Sequence, residues 1–243
     1  MQRMLSIVCS LFLIASPCWG AIAEVGAGSQ RASSGKQSSV DSYSKAYPAN
    51  VTANDLLTTC GIVYTGITSV VVTDTISTNY TVYLGPDTGT GSKPFIAFGV
   101  APSSGANTVA VNPNGASATL AYSIDEFSGT SVSAPLDVDG SSSTGNSTTP
   151  SDALTTLTAN DLILGVAAIG SGGAITISVG SGYTQIGEDE NSITGYNCEF
   201  KIATTATSYT MDWTVGSNLW AVYTLGFKVP SVIRRPIAPL VFQ

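Results

Sequence analysis

The chain has 243 residues and a formal net charge of −7, with 10% charged and 43% hydrophobic residues. It is too apolar for a disordered acidic tail and too acidic to attract nucleic acid. It contains no histidine, which removes Ser-His-Asp and Cys-His catalysis and takes from zinc or copper their commonest ligand.

In chain order, Arg3 precedes an apolar run from Leu5 to Ala15, which leads into Ser16-Pro17-Cys18-Trp19-Gly20-Ala21-Ile22-Ala23. The run is too short for a permanent membrane span, and Ala21-Ile22-Ala23 has the small-x-small pattern read by signal peptidases. Residues 1–23 therefore read as a cleavable secretory signal, with cleavage after Gly20 as the second choice. Pro17 stands where a lipoprotein carries a small residue before its cysteine, which argues against lipid anchoring at Cys18. No later stretch is apolar and long enough to span a membrane. The expected location is extracellular or at the cell surface, an oxidising setting that leaves two cysteines, Cys60 and Cys198, in the mature chain.

Residues 24–49 are polar and rich in Ser and Gly, and read as a flexible lead-in or a first strand. From Leu56 onward, short runs rich in Val, Ile, Thr and Tyr alternate with Gly, Pro, Asn and Asp, and no period near 3.6 is sustained. Strands are expected at about 56–64, 69–73, 80–84, 95–101, 108–111, 120–127, 162–169, 174–179, 183–187, 197–203, 209–215 and 219–228. In the tenth of these, Cys198, Phe200 and Ile202 share an apolar face, and Asn197, Glu199 and Lys201 take a face expected to be wet.

The chain also repeats itself. Thr52-Ala53-Asn54-Asp55-Leu56 recurs as Thr158-Ala159-Asn160-Asp161-Leu162, and further matches follow in order: Tyr80-Thr81 with Tyr183-Thr184, Phe98 with Phe200, Thr108 with Thr210, Leu120-Ala121 with Trp220-Ala221, and Phe127 with Phe227. The offset drifts from 106 residues at Thr52 to 100 at Leu120, as small loop deletions in an old duplication would produce. The reading is an all-β, antiparallel, jelly-roll-like β-sandwich built from two sequence-similar halves, 50–128 and 157–228, joined by a Ser/Thr/Gly-rich segment. A single sandwich over 50–228 is favoured over two separate half-size domains.

With those motifs in view, the Ala53-Asn54-Asp55-Leu56 strand start, the Asp74 to Tyr80-Thr81 hairpin, the Glu126-Phe127-Ser128-Gly129 exit and the Trp220 to Lys228 ending resemble the concanavalin-like jelly-roll modules of secreted bacterial and phage surface proteins. The resemblance covers nearly all of 50–228. It implies a sandwich fold and assigns no catalytic or binding residue.

Few residues carry chemistry. Ser123-Ile124-Asp125-Glu126-Phe127 is similar to the Glu-x-Asp-x-x-Glu strand of concanavalin-like glucanases, but serines replace both outer glutamates, and adjacent Asp125 and Glu126 point to opposite faces of a strand. No catalytic residue is assigned. Calcium needs only oxygen ligands and has weak candidates in Asp137 and Asp139 and in Glu188, Asp189 and Glu190, for which solvated turns are the favoured reading. Other cofactors are not expected. Among the aromatics, Trp213 phases with a core, whereas Trp220 and Tyr183 are the candidate ligand-binding residues. Asn50, Asn79 and Asn146 sit in glycosylation sequons.

Three functions are weighed. The first is a secreted, non-catalytic surface or binding module with a glycan or cell-surface component as its partner. The second is a structural subunit that self-assembles or docks through the Pro-rich tail 229–243, and the third is a carboxylate-dependent glycoside hydrolase. Cys60 shares phase with Leu56 and Ile62, and Cys198 with Phe200, so both thiols are expected to face one core and to bond, with two buried free thiols as the alternative.

Overall fold

The computed structural model describes residues 21–64, 66–114, 117–170, 175–190 and 194–230. The tail beyond Pro230 and most of the expected signal lie outside the described residues. The strands are β1 (Ala23–Glu24), β2 (Ala32–Ser33), β3 (Gln37–Val40), β4 (Tyr43–Ala46), β5 (Leu56–Tyr64), β6 (Val71–Asp74), β7 (Thr81–Leu84), β8 (Ser92–Val100) and β9 (Thr108–Asn112). They continue with β10 (Ala118–Ser128), β11 (Leu136–Ser147), β12 (Ser151–Thr155), β13 (Asp161–Gly170), β14 (Ile177–Val179), β15 (Thr184–Glu190), β16 (Thr194–Ala203), β17 (Ser208–Val215) and β18 (Asn218–Phe227). Every strand expected from the sequence is present, with ends shifted by a few residues.

The described ladders are antiparallel and stay within one half of the chain. In the first half, a seven-stranded sheet runs β1-β10-β5-β8-β7, with β2 and β3 also on β10, and faces a three-stranded sheet β4-β9-β6. In the second half, a five-stranded sheet runs β11-β18-β13-β16-β15 and faces a three-stranded sheet β12-β17-β14. The orders match strand for strand, so the repeat in the sequence is a repeat of topology. Both halves even open their central strand with the same turn. Asn54 (φ 72°) and Asn160 (φ 66°) take the left-handed conformation that Asn tolerates better than most residues. Their amides donate to the matching carbonyls of Ala101 (2.9 Å) and Ala203 (2.6 Å).

The two large sheets, one from each half, pack face to face as a central sandwich, and each half adds its own three-stranded sheet on the outside. The reason lies in β5 and β13, whose side chains are buried almost throughout. Such runs need cover on both faces. One cover is the half's own three-stranded sheet, around Leu57, Phe95 and Tyr122 in the first half and Ile163, Met211 and Trp213 in the second. The other is the opposite half, around Leu56, Cys60, Phe98, Leu164, Cys198 and Phe227.

That central interface is reciprocal. Phe98 meets Phe227 edge-on at 4.9 Å between ring centroids, and their repeat partners Phe200 and Phe127 meet edge-on at 5.0 Å. The same two patches thus exchange places across a pseudo-two-fold axis, as in an isologous dimer fused into one chain. Cys60 and Cys198 are disulfide-bonded across it, with Cα atoms 6.3 Å apart.

Two segments without strand signals complete the halves. The polar lead-in supplies β1 to β4, and the Gln30 amide ties it down by donating to the Glu126 carboxylate (2.9 Å) and to the Asn50 carbonyl (3.0 Å). The Ser/Thr/Gly-rich segment supplies β11, an edge strand on β18, and β12. Gly145 is needed there for close approach, since a Cβ would lie 2.4 Å from the Trp220 ring.

Candidate functional site

The polar face of β16 carries the clearest departure between the halves. In repeat register, Asn197, Glu199 and Lys201 stand where β8 has Phe95, Ala97 and Gly99. The first half fills this row with core: Phe95 and Ala97 are fully buried. The second half buries polar groups in the same place, and the expected wet face is corrected, because Asn197 and Glu199 are 0% exposed. The three-stranded sheet covers them.

Burying polar groups is costly unless they are bonded. Asn197 Oδ1 accepts from Trp213 Nε1 (3.2 Å), and Glu199 Oε2 accepts from the Gly180 amide (2.9 Å). Glu199 Oε1 is buried without a hydrogen bond among the described residues. Burial pushes the Glu199 carboxyl up to about 8, helped by the Asp212 charge and opposed by the Gly180 amide and Lys201. Near neutral pH it is therefore largely a protonated acid with a free donor.

The row ends at the rim of the sandwich. Lys201 Nζ lies 4.9 Å from the Tyr183 ring centroid and 5.8 Å from that of Tyr209, so one ammonium serves two half-buried rings. Both rings are held from behind: Tyr183 donates to the Thr210 carbonyl (2.7 Å), and Tyr209 donates to the Thr205 carbonyl (3.1 Å). Burial and the Glu199 charge raise the Tyr183 phenol, so it stays a neutral donor. The first half cannot build this rim, because a side chain at Gly99 would meet the Asn79 carbonyl at 2.8 Å.

The other candidates sit apart from this rim. Trp220 is 8% exposed under β11 and donates to Ser147 Oγ (3.0 Å), so its face is covered, contrary to the reading that paired it with Tyr183. Asp125 and Glu126 point to opposite sides of β10, as expected, and both are fully buried. Glu126 accepts from the Thr52 amide (2.7 Å) and Gln30, while Asp125 lies against Arg31, which also pairs with Glu24, so both anchor the lead-in.

The acidic candidates are engaged locally. Asp137 accepts from the Leu157 amide (2.8 Å), Asp139 from the Gly140 amide (3.0 Å), Glu188 from Asn197 (3.3 Å) and Glu190 from the Ile177 amide (2.8 Å). Asp189 lies between the two glutamates on β15. Among the described residues no group of three or more His, Cys, Asp or Glu side chains is placed to hold a metal ion.

Sequence reasoning singled out Tyr183 but assigned no role to Tyr209, Lys201 or Glu199. The available signal was the repeat itself, which sets Lys201 against a glycine and Glu199 against an alanine. Comparison with family models, curated proteins and solved structures gave no match.

Proposed function

We propose that this chain is an exported, non-catalytic binding module that takes a saccharide at the Tyr183, Lys201 and Tyr209 rim. The observation that carries the reading is the replacement of a core row by Asn197, Glu199 and Lys201 in one half alone. A sandwich that needed only stability would keep the apolar row. Two tyrosine rings suit the C–H face of a sugar, and the ammonium suits a carboxylated sugar.

Glycan-array binding of the disulfide-intact protein, with uronic-acid oligosaccharides included, tests this. Tyr209→Ala or Lys201→Ala is expected to weaken saccharide binding about tenfold or more while leaving the melting point nearly unchanged. Failure of the unaltered protein to bind any saccharide on the array at millimolar concentration refutes it. Hydrolysis of a polysaccharide panel, lost in an Asp125→Asn, Glu126→Gln variant, would instead establish the enzyme reading.

Export is supported by the Cys60–Cys198 disulfide. The structure also bears on where processing occurs. Ile22 is 3% exposed in the central core, and Ala23 and Glu24 pair with Ser128 and Phe127. Cleavage after Gly20, which keeps these residues, is therefore preferred to cleavage after Ala23. Intact mass of the exported protein is expected to give Ala21 as the first residue; Glu24 would show the inner site is used, and Met1 would refute a signal.

The second reading, a structural subunit, is favoured by the apolar side chains of the C-terminal tail. Size-exclusion chromatography separates the two, since assembly without saccharide binding would support the subunit.

A further inference from the structure

Glu199 meets the tyrosine rim from inside the sandwich. On β16 it precedes Lys201 by two residues on the same face, about 7 Å back along the strand. Its Oε2 accepts from the Gly180 amide (2.9 Å), and the Gly180 carbonyl accepts from the Tyr183 amide (3.2 Å), so this carboxyl holds the turn that presents the Tyr183 ring. Within the turn, a Cβ at Gly182 (φ 79°) would lie 3.4 Å from Lys201 Nζ, and the glycine leaves the ammonium room to move.

The other carboxyl oxygen has no such anchor. Oε1 is buried without a hydrogen bond among the described residues. Across the ladders stand Gly165 on β13 and Gln185 on β15, and β17 packs Met211 against that glycine. The titratable and charged groups around the carboxyl are Asp212 of β17, Tyr183 of the turn and Lys201, while Glu188 of β15 is engaged with Asn197. Lys201 is the one cation among them, and the rings of Tyr183 and Tyr209 hold its ammonium. A buried carboxylate with an unbonded oxygen is costly unless a cation reaches it.

We propose that Glu199 is a positioning residue of the rim: protonated, it leaves the Lys201 ammonium on the two rings for an anionic ligand, and ionised, it draws that ammonium inward and weakens anion binding. This rests on the saccharide reading of the rim and adds its regulation. Burial pushes the Glu199 carboxyl up to about 8, opposed by the Gly180 amide and Lys201 and helped by Asp212. The change therefore falls between pH 6 and 9, where a uronic acid stays ionised and adds no titration of its own. By reciprocity, a carboxylate bound beside Lys201 keeps Glu199 protonated to higher pH. The first half has no counterpart, since Ala97 and Gly99 occupy these positions.

Nuclear magnetic resonance of the disulfide-intact protein from pH 6 to 9 tests this without ligand. The Lys201 Hε signals, shifted upfield by the two rings, are expected to lose that shift with the same midpoint as the Glu199 Cδ signal. Calorimetry with a uronic-acid oligosaccharide is expected to show binding at least fivefold weaker at pH 9 than at pH 6. In Glu199→Gln the ratio is expected to fall below twofold; this variant keeps the Tyr209 phenol, which hydrogen bonds with Thr205 lower, and so controls for its titration. Lys201 signals that stay in place while Glu199 titrates would overturn the proposal, as would an equal loss of affinity in Glu199→Gln. Affinity independent of pH in the unaltered protein would overturn it and leave the saccharide reading intact. Absence of binding at both pH values refutes that reading instead, and the Lys201 signals still decide the positioning role.

Discussion

Cys198→Ala is expected to lower the melting temperature by roughly 10 °C or more relative to the oxidised protein. The Cys60–Cys198 bond closes a sequence separation of 138 residues. For a loop of that length the chain-entropy model gives about 5 kcal/mol, against a measured range of about 0–5 kcal/mol. For a chain of this size each kcal/mol moves the midpoint by roughly 2–4 °C. The bond also joins the two halves, which share no described ladder, so its loss acts on the one interface between them. Calorimetry on the oxidised protein, the reduced protein and the variant checks this. A melting point unchanged by reduction would show that packing of Phe98, Phe127, Phe200 and Phe227 holds the halves unaided, and two alkylatable thiols in the denatured, unreduced protein would remove the bond itself.

Stability is expected to fall as pH rises from 5 to 8, with Glu199 as a principal cause. Its carboxyl is held at about 8 in the folded chain, against an ordinary value of 4.5. Below pH 4.5 both states keep the proton, and burial of the neutral acid carries no ionisation cost. Between 4.5 and 8 the unfolded state releases its proton while the folded state retains it, so the favourable contribution drains away and is gone above 8. Burial raises Asp125 and Asp55 in the same direction. One pKa unit corresponds to about 1.4 kcal/mol, and a shift of this size discounted for residual screening is on the order of a few kcal/mol, or roughly 5 °C or more. Glu199→Gln keeps an acceptor for the Gly180 amide and has no proton to lose. Thermal melts at pH 5 and pH 8 are expected to differ by less in this variant than in the unaltered protein. Identical pH dependence in both would show that Glu199 is solvated in the folded state.

Much of the fold was legible because the physics behind it is local. Short runs rich in Val, Ile, Thr and Tyr between turn residues placed most of the strands from Leu56 to Phe227, and the paired Thr-Ala-Asn-Asp-Leu segments disclosed the duplication, since the same left-handed Asn turn was needed twice. The phase of Cys60 and Cys198 pointed both thiols at one core. β11 was illegible because an edge strand is held by backbone hydrogen bonds to β18, which leave its Ser, Thr and Gly side chains unconstrained. The lead-in strands were hidden for the same reason, and their anchors, Asp125 and Glu126, are distant in sequence.

The candidate site was half legible. Tyr183 drew notice as an aromatic, but Trp220 was over-read and Glu199 under-read for a common reason. Alternation along a strand states which side chains share a face, and it does not state what covers that face. The sequence by itself determined an all-β chain of two like halves with Cys60 and Cys198 on apolar faces. Tertiary structure alone decided that each half adds a three-stranded sheet outside the central sandwich, that β11 covers Trp220, and that Glu199 lies between sheets with Lys201 at their rim, because cover is a property of packing between segments far apart in the chain.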